Sequence, residues 1–210
     1  PSHFCLPLHF VRTTATMPTT HLLYLHGFRS SPQSNKARTM AQYVQQHHPE
    51  VTWLCPQLPP SPKEAMDMVM EAVKDWPSES MAVIGSSLGG YYATWVAHHK
   101  HCKLVVLNPS VYPDRTLERY IGAQTSWHNP EESFFFKPEY IQELRDMALH
   151  TQAAPGEQLG IFAKGDEVLD WREMVARYPQ AKQIILEGGD HAISEFDSQM
   201  SHVLDFLDLA

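Results

Sequence analysis

Residues 81–97 read Met81-Ala-Val-Ile-Gly-Ser-Ser-Leu-Gly-Gly-Tyr-Tyr-Ala-Thr-Trp-Val-Ala97 and contain the pattern Gly-x-Ser-x-Gly at positions 85–89. The apolar run at 81–84 is short and ends at a glycine, which favours a strand. The apolar segment at 88–97 is too long for a strand and favours a buried helix. The stretch therefore predicts a sharp strand-to-helix turn with Ser87 at its apex.

Ser87 is the candidate nucleophile in this turn. Such a turn holds its central serine in a strained backbone conformation, and side chains two residues to either side would collide, which explains the glycines. It also directs the free N–H groups of the helix N-terminus toward the reacting centre. Ser86 is not central between the glycines and is not the candidate. The alternatives are a glycine-rich phosphate loop and a plain tight turn.

Outward from this turn, apolar runs alternate with helical patterns along the chain. The runs are continuous, as in strands covered on both faces, and lie at 21–25, 51–55, 104–107, 159–162 and 183–186. Apolar residues recur at helical spacing within 37–44, 65–76, 171–178 and 196–207. This order predicts an α/β fold with about six mostly parallel strands and helices on both faces. The carboxyl ends of the strands are where functional groups should gather.

Two segments stand outside this alternation. Residues 109–156 mix proline, aromatic and acidic residues without an evident strand, and we expect a small helical cap there, because long structureless loops are rare in compact domains. Residues 1–20 show no sustained period and predict an N-terminal extension outside the fold, with Met17 as the natural start. The expected single domain is therefore 21–210, with the cap as an insertion.

The order Ser, Asp, His is completed by two later loops. Lys164-Gly-Asp-Glu167 follows the predicted strand at 159–162, and Gly188-Gly-Asp-His191 follows the strand at 183–186. A serine hydroxyl needs a base, and the base needs an orienting acid, in this chain order for this kind of fold. His191 is the candidate general base and Asp166 the preferred acid.

Three other carboxylates compete with Asp166 for the role of the acid. Asp170 has the position of a helix N-cap, with Glu173 as a capping-box partner. Asp190 adjoins His191, and neighbouring side chains rarely face each other. Glu167 stays open as well, so Asp166 is a preference among four carboxylates.

An oxyanion hole requires two further donors. One comes from the residue after the nucleophile and the other from the loop after the first strand, which makes the Leu88 and Phe28 N–H groups the candidates. On the same loop, His26, Gly27 and Arg29 are candidate substrate-binding residues. We expect a structural role for His26 and a special backbone conformation for Gly27. Arg29 either grips a carboxylate or phosphate or is solvated.

Composition limits the partners and the cofactors. The formal net charge of −8 argues against nucleic acid and anionic membrane surfaces as partners. Three widely spaced cysteines contain no Cys-x-x-Cys pair, which favours a reducing cytoplasm. No signal-peptide pattern or membrane-length apolar run is evident. His98-His-Lys-His-Cys102 resembles a metal site only superficially, because adjacent side chains on a helix point in different directions. We expect neither a metal nor a cofactor.

Several blocks together resemble the YqiA-like esterases, which are small bacterial α/β-hydrolases. The blocks are Tyr24-Leu-His-Gly-Phe-Arg-Ser-Ser-Pro32, Lys36-Ala37, the nucleophile turn, Leu107-Asn-Pro109, Gly165-Asp-Glu-Val-Leu-Asp170 and Gly188-Gly-Asp-His-Ala192. The resemblance spans most of 21–209 and is weakest across the cap. It implies an α/β-hydrolase fold, a triad of Ser87, Asp166 and His191, and action on short acyl esters or thioesters.

The predicted function is that of a serine esterase that cleaves a small-molecule acyl ester or thioester. The same triad also serves peptidases, amidases and acyltransferases, because pocket shape decides the leaving group. A non-catalytic binding module is the alternative from another class.

Overall fold

The computed structural model describes residues 17–150 and 156–210. Its strands are β1 (His21–Leu25), β2 (Thr52–Leu54), β3 (Met81–Ser86), β4 (Lys103–Leu107), β5 (Gly122–Thr125), β6 (Ser133–Phe136), β7 (Gln158–Ala163) and β8 (Lys182–Leu186). Six of them form one sheet in the order β2-β1-β3-β4-β7-β8, in which every neighbouring pair is parallel. The predicted six-stranded parallel sheet is confirmed, and β3 lies near its centre.

Helices cover both faces of this sheet. They are α1 (Asn35–His47), α2 (Pro62–Ala72), α3 (Leu88–Lys100), α4 (Pro113–Leu117), α5 (Pro138–Asp146), α6 (Trp171–Arg177) and α7 (Phe196–Phe206). Helices α1 and α7 pack on one face, whereas α2, α3 and α6 pack on the other. The short cap helices α4 and α5 pack on the same side as α2, α3 and α6.

The continuous apolar runs follow from this two-sided cover. Successive side chains of a strand point to opposite faces, so Leu23 and Leu25 pack with α2 and α3, while Leu22 and Tyr24 pack with α1 and α7. All four side chains are fully buried. A strand with one wet face would alternate apolar and polar residues instead.

The inserted cap differs from the helical cap expected for 109–156. It contains α4 and α5, but β5 and β6 between them form an antiparallel pair with Gly122 opposite Phe136. The sequence did not reveal β6, because its three consecutive phenylalanines show no alternation of apolar and polar residues. In the structure Phe134 and Phe136 contact Phe28, while Phe135 points outward and is 56% exposed. Residues 151–155 of the insertion lie outside the described residues.

Contacts with the sheet begin slightly before the expected domain start at residue 21. Thr19 is buried, the Thr20 N–H donates to the Ser80 carbonyl at 2.8 Å, and the Thr20 carbonyl accepts from the Thr52 N–H at 2.9 Å. Thr20 thus extends the pairing of β1 at its N-terminal end. Residues 1–16 of the expected extension lie outside the described residues. Among the described helices, none is both long and apolar enough to span a membrane.

Candidate active site

Ser87 lies in a tight turn between β3 and α3. Its backbone has φ 57° and ψ −124°, a left-handed φ that costs energy for a residue with a side chain. A Cβ on Gly85 would lie 2.1 Å from the Gly89 carbonyl oxygen, and a Cβ on Gly89 would lie 1.9 Å from that of Leu25. Both glycines are thus required by close backbone approach. The turn leaves Ser87 partly exposed at the carboxyl end of β3, whereas Ser86 is buried.

The structure brings Ser87, His191 and Asp166 into one hydrogen-bonded chain. His191 Nε2 lies 2.9 Å from Ser87 Oγ, and its Nδ1 lies 2.8 Å from Asp166 Oδ2. Because an ionised carboxylate only accepts, Nδ1–H donates to Asp166 and leaves Nε2 free to accept the serine proton. The three residues come from the loops after β3, β8 and β7, whose carboxyl ends meet at one edge of the sheet.

The carboxylate of Asp166 is fixed in orientation. Its side chain is fully buried, and Oδ1 accepts from the Val168 and Leu169 N–H groups at 2.8 Å each. Oδ2 is thereby left to His191.

The competing carboxylates have other partners. Asp170 caps α6 by accepting from the Arg172 N–H, as predicted, although its expected partner Glu173 pairs with Arg115 instead. Asp190 binds the N–H and hydroxyl of Ser194. Glu167 accepts from the backbone N–H of His191 at 2.9 Å. It therefore holds the loop at 187–195 between β8 and α7, which we call the histidine loop, rather than the imidazole itself.

Asn108 is a site residue to which the sequence analysis assigned no role. It is fully buried at the end of β4, with φ 41°. Its Oδ1 accepts from the Ala163 N–H at 2.8 Å, and its Nδ2 donates to the carbonyls of Asp190 and His191 at 2.9 and 3.2 Å. One amide thus connects the ends of β4 and β7 to the histidine loop. The signal in the sequence was a polar residue directly after a buried strand.

Lys36 is a second residue without an assigned role. Its side chain is buried, and Nζ donates to the carbonyl of Ala192, next to His191. Burial lowers the pKa of Lys36 to about 8, against the opposing effect of Asp190 and Asp166. A lysine on the apolar face of a predicted helix, beside Ala37, was the available signal. Lys36 ties α1 to the histidine loop.

The candidate oxyanion donors, Phe28 and Leu88, line the same cavity as the nucleophile candidate Ser87. Leu88 begins α3, and Phe28 follows Gly27, whose Cα is so near Ser87 that a Cβ there would lie 3.1 Å from the serine Cβ. Within the described residues, neither N–H group donates a hydrogen bond. Two unpaired donors beside a serine hydroxyl are what a carbonyl oxygen acquiring negative charge requires.

His26 lies behind this loop with both ring nitrogens engaged. Nε2 accepts from the Leu58 N–H at 3.0 Å, so the proton resides on Nδ1, which donates to the Gly27 carbonyl at 2.9 Å. Burial lowers the pKa of His26 to about 4. The imidazole is therefore neutral at pH 7 and connects the loop after β1 to the segment after β2.

Arg29 joins the same loop to the cap. Its Nε donates to the Thr125 carbonyl at 2.6 Å and its Nη2 to the Thr125 hydroxyl at 3.0 Å. The guanidinium also lies 4.0 Å from the centre of the Trp127 ring. These contacts connect the loop after β1 to the cap, and they leave the other N–H donors of the guanidinium without a protein partner among the described residues.

A cavity of about 680 Å³ is lined by the predicted site residues other than Asp166. Its walls include Ser87, His191, the two candidate oxyanion residues, and the loop residues His26, Gly27 and Arg29. Among the described residues, no group of three His, Cys, Asp or Glu side chains is placed to hold a metal ion.

Solved structures share this fold. Alpha/beta hydrolase domain-containing protein 10 from mouse superposes with a TM-score of 0.68 at 17% identity, covering 91% of this chain and 92% of that one. Est1E from Butyrivibrio proteoclasticus, solved with ferulic acid, gives 0.70 at 12% identity over 91% and 89% of the two chains. The α/β-hydrolase fold is thereby confirmed.

Sequence relatives identify the family. A UPF0227 protein of Shewanella baltica strain OS155 is 23% identical over 74% of this chain and 80% of its own length. A second, from Shewanella sp. strain MR-4, is 27% identical over 71% and 77%. The profile of the family described as "Uncharacterised protein family (UPF0227)" matches residues 21–208. The chain therefore belongs to the UPF0227 family, the YqiA-like family that its motifs indicated.

Proposed function

We propose that the protein is a serine esterase that hydrolyses small acyl esters or thioesters through an acyl-enzyme intermediate. The observation that carries the proposal is the hydrogen-bonded chain Ser87–His191–Asp166, with distances of 2.9 and 2.8 Å. Distances of this size support the proposal, because a serine hydroxyl lies within proton-transfer reach of an imidazole nitrogen, and a carboxylate lies close enough to orient that imidazole.

Acylation follows from these positions. Ser87 Oγ attacks the substrate carbonyl carbon while His191 Nε2 takes the hydroxyl proton, and the carbonyl electron pair moves onto the oxygen between the Phe28 and Leu88 N–H groups. The intermediate collapses, the bond to the alcohol or thiol breaks, and His191 returns the proton to the leaving atom. Asp166 stabilises the imidazolium during both steps.

Deacylation repeats the same chemistry with water. His191 removes a proton from a water molecule as its oxygen attacks the acyl carbon of the ester on Ser87. The proton is then returned to Ser87 Oγ, and the carboxylic acid leaves.

Labelling with a fluorophosphonate probe tests this proposal. We expect the wild-type protein to be labelled and Ser87→Ala and His191→Ala to be unlabelled. Ser86→Ala is the matched control, because it removes the neighbouring hydroxyl and should keep the label. Labelling that survives Ser87→Ala would overturn the assignment. Turnover of p-nitrophenyl esters, acyl thioesters and amides would then rank the bond classes, including the peptidase and acyltransferase alternatives.

A further inference from the structure

Two cavities meet at the loop after β1. We call the one of about 680 Å³ lined by Ser87 and His191 the nucleophile cavity. The other has about 510 Å³, and we call it the apolar cavity after Leu58, Met68, Tyr92 and Phe134 in its wall. Its wall also contains Glu132 and Arg29, so Arg29 lines both cavities, whereas Arg119 lines only the nucleophile cavity. Phe28 and Leu88 line both. An ester carbonyl held by their N–H groups therefore has one cavity available to each of its two substituents.

The position of His191 decides which substituent occupies which cavity. His191 must protonate the leaving atom, so the alcohol or thiol part of the substrate has to lie on its side. His191 lines the nucleophile cavity and is not part of the wall of the apolar cavity. The leaving group therefore belongs in the nucleophile cavity, and an apolar acyl chain fits the other.

The nucleophile cavity carries two arginines without a carboxylate partner. The guanidinium carbon of Arg119, a cap residue, lies 5.0 Å from the centre of the Tyr120 ring. Arg29 donates two of its five N–H groups to Thr125. Neither forms an ion pair within the described part of the chain. Elsewhere, ion pairs engage Lys63, Lys74, Lys103, Arg115, Arg145, Lys164 and Arg172. Arg38, Lys137 and Lys182 also have no ion pair among the described residues, but they line neither cavity.

The other charged groups around this cavity leave it with an excess of positive charge. Glu167 also lines the cavity, and because a hydrogen bond from the neutral His191 N–H does not cancel the charge of a carboxylate, Glu167 offsets one of the two arginines. Lys36 is near Asp166 and Asp190, so its charge is balanced locally. Arg29 and Arg119 are left as the groups available to a ligand.

We propose that the leaving alcohol or thiol carries an anionic group, a carboxylate or a phosphate, which Arg119 and Arg29 bind. The inference rests on the proposed function and names its substrate class: an ester or thioester that joins an apolar acyl chain to an anionic leaving group. Guanidinium groups suit both anions, because their planar N–H fork matches two oxygens.

Three butyrate esters test the inference: methyl 4-(butyryloxy)benzoate, which is neutral, 4-(butyryloxy)benzoate and 4-(butyryloxy)phenyl phosphate. Arg119→Gln is the variant, because Arg119 is exposed and has no hydrogen bond to lose. Arg38→Gln is the matched control, since Arg38 is an exposed arginine of α1 that lines neither cavity. Arg29 is left intact because it supports the Phe28 loop.

For Arg119→Gln we expect kcat/KM to fall about fivefold with the anionic esters, the upper range for an exposed ion pair, and to stay unchanged with the neutral ester. Arg38→Gln should change none of the three. A fall with only one of the two anions supports the inference and identifies the anion. An equal change with all three esters, or no change with any, overturns it.

Failure of the proposed esterase function would give a different result from failure of the inference about the leaving group. In that case the wild-type protein would turn over none of the esters and would not be labelled by the fluorophosphonate on Ser87. Labelling together with turnover of the neutral ester keeps the esterase assignment, whatever the effect of Arg119→Gln.

Discussion

At the scale of single residues, the acid of the candidate triad is selected by hydrogen bonding rather than by charge. Four carboxylates lie on or near the two loops, and each has a distinct partner. Only Asp166 directs an oxygen at the imidazole of His191, and its second oxygen is occupied by two backbone N–H groups. The geometry therefore separates the role of Asp166 from those of Glu167, Asp170 and Asp190.

Asp166→Asn should lower kcat with p-nitrophenyl butyrate by about 10⁴-fold, because an amide NH₂ facing Nδ1 favours the wrong histidine tautomer. Asp170→Asn is the control, since asparagine also caps a helix and should leave kcat unchanged. Comparable losses in both variants would contradict the assignment of the acid. Steady-state kinetics measures both.

His26 is expected to make stability depend on pH. Its pKa falls from 6.5 to about 4 on folding, so the unfolded chain binds more protons between these values. Above pH 6.5, the titration of His26 does not reduce the free energy of unfolding. As the pH falls from 6.5 toward 4, protonation of His26 in the unfolded chain lowers the free energy of unfolding by about 3 kcal/mol at most.

Urea unfolding between pH 7 and pH 4 measures this dependence. His26→Gln should show a shallower loss of unfolding free energy with acid than the wild-type protein. His99→Gln, at an exposed histidine of α3, should keep the wild-type slope. An unchanged slope in His26→Gln would show that another group titrates.

At the scale of the elements, the site is assembled by loops that have to hold each other in place. Asn108 connects three of them, and its Nδ2 donates to two carbonyls of the histidine loop. Asn108→Asp keeps the shape of the side chain but turns a carboxylate oxygen toward those carbonyls. The histidine loop should then move away from Ser87.

We expect Asn108→Asp to lower kcat by about 100-fold, the effect of a displacement near 1 Å, with KM for p-nitrophenyl butyrate nearly unchanged. Asn129→Asp, on the exposed cap turn, should change neither constant. A rise in KM alone would assign Asn108 to substrate binding rather than to positioning. Urea unfolding of both variants separates a shifted loop from a destabilised fold.

The turn between β3 and α3 tolerates no side chain at position 85. Gly85→Ala should lower the free energy of unfolding by more than about 3 kcal/mol, because the added Cβ meets backbone 2.1 Å away. A Cβ on Gly188 meets nothing within 4 Å, so Gly188→Ala should leave stability unchanged or raise it by about 0.5 kcal/mol. Urea midpoints, or folded yield if Gly85→Ala does not accumulate, compare the two. Equal stability would contradict the close approach of Gly85 and Gly89.

At the scale of the whole molecule, the sheet was predictable because both of its faces are covered. The interiors of strands such as β3 and β4 are then apolar, and the glycines around Ser87 mark a turn that needs them. The loop positions of Ser87, Asp166 and His191 follow from their places directly after β3, β7 and β8.

Features that depend on distant parts of the chain were not predictable. The pairing of β5 with β6 depends on contacts of Phe134 and Phe136 with Phe28, a hundred residues away in sequence. The role of Asn108 requires three strand ends to meet, and that of Arg29 requires the cap hairpin to lie over the loop after β1. Sequence patterns report local structure and burial, whereas these roles arise from tertiary neighbours.

The strand order has a consequence for how activity responds to denaturant. Ser87 is anchored on β3, deep inside the sheet, but His191 follows β8, which pairs only with β7 at the rim and is only partly buried. Edge segments open locally at lower free energy than the interior. Fraying of β8 would separate the candidate base His191 from the candidate nucleophile Ser87. We therefore expect esterase activity to be lost at a lower denaturant concentration than the global unfolding transition, and the backbone amides of β8 to exchange with solvent before those of β3.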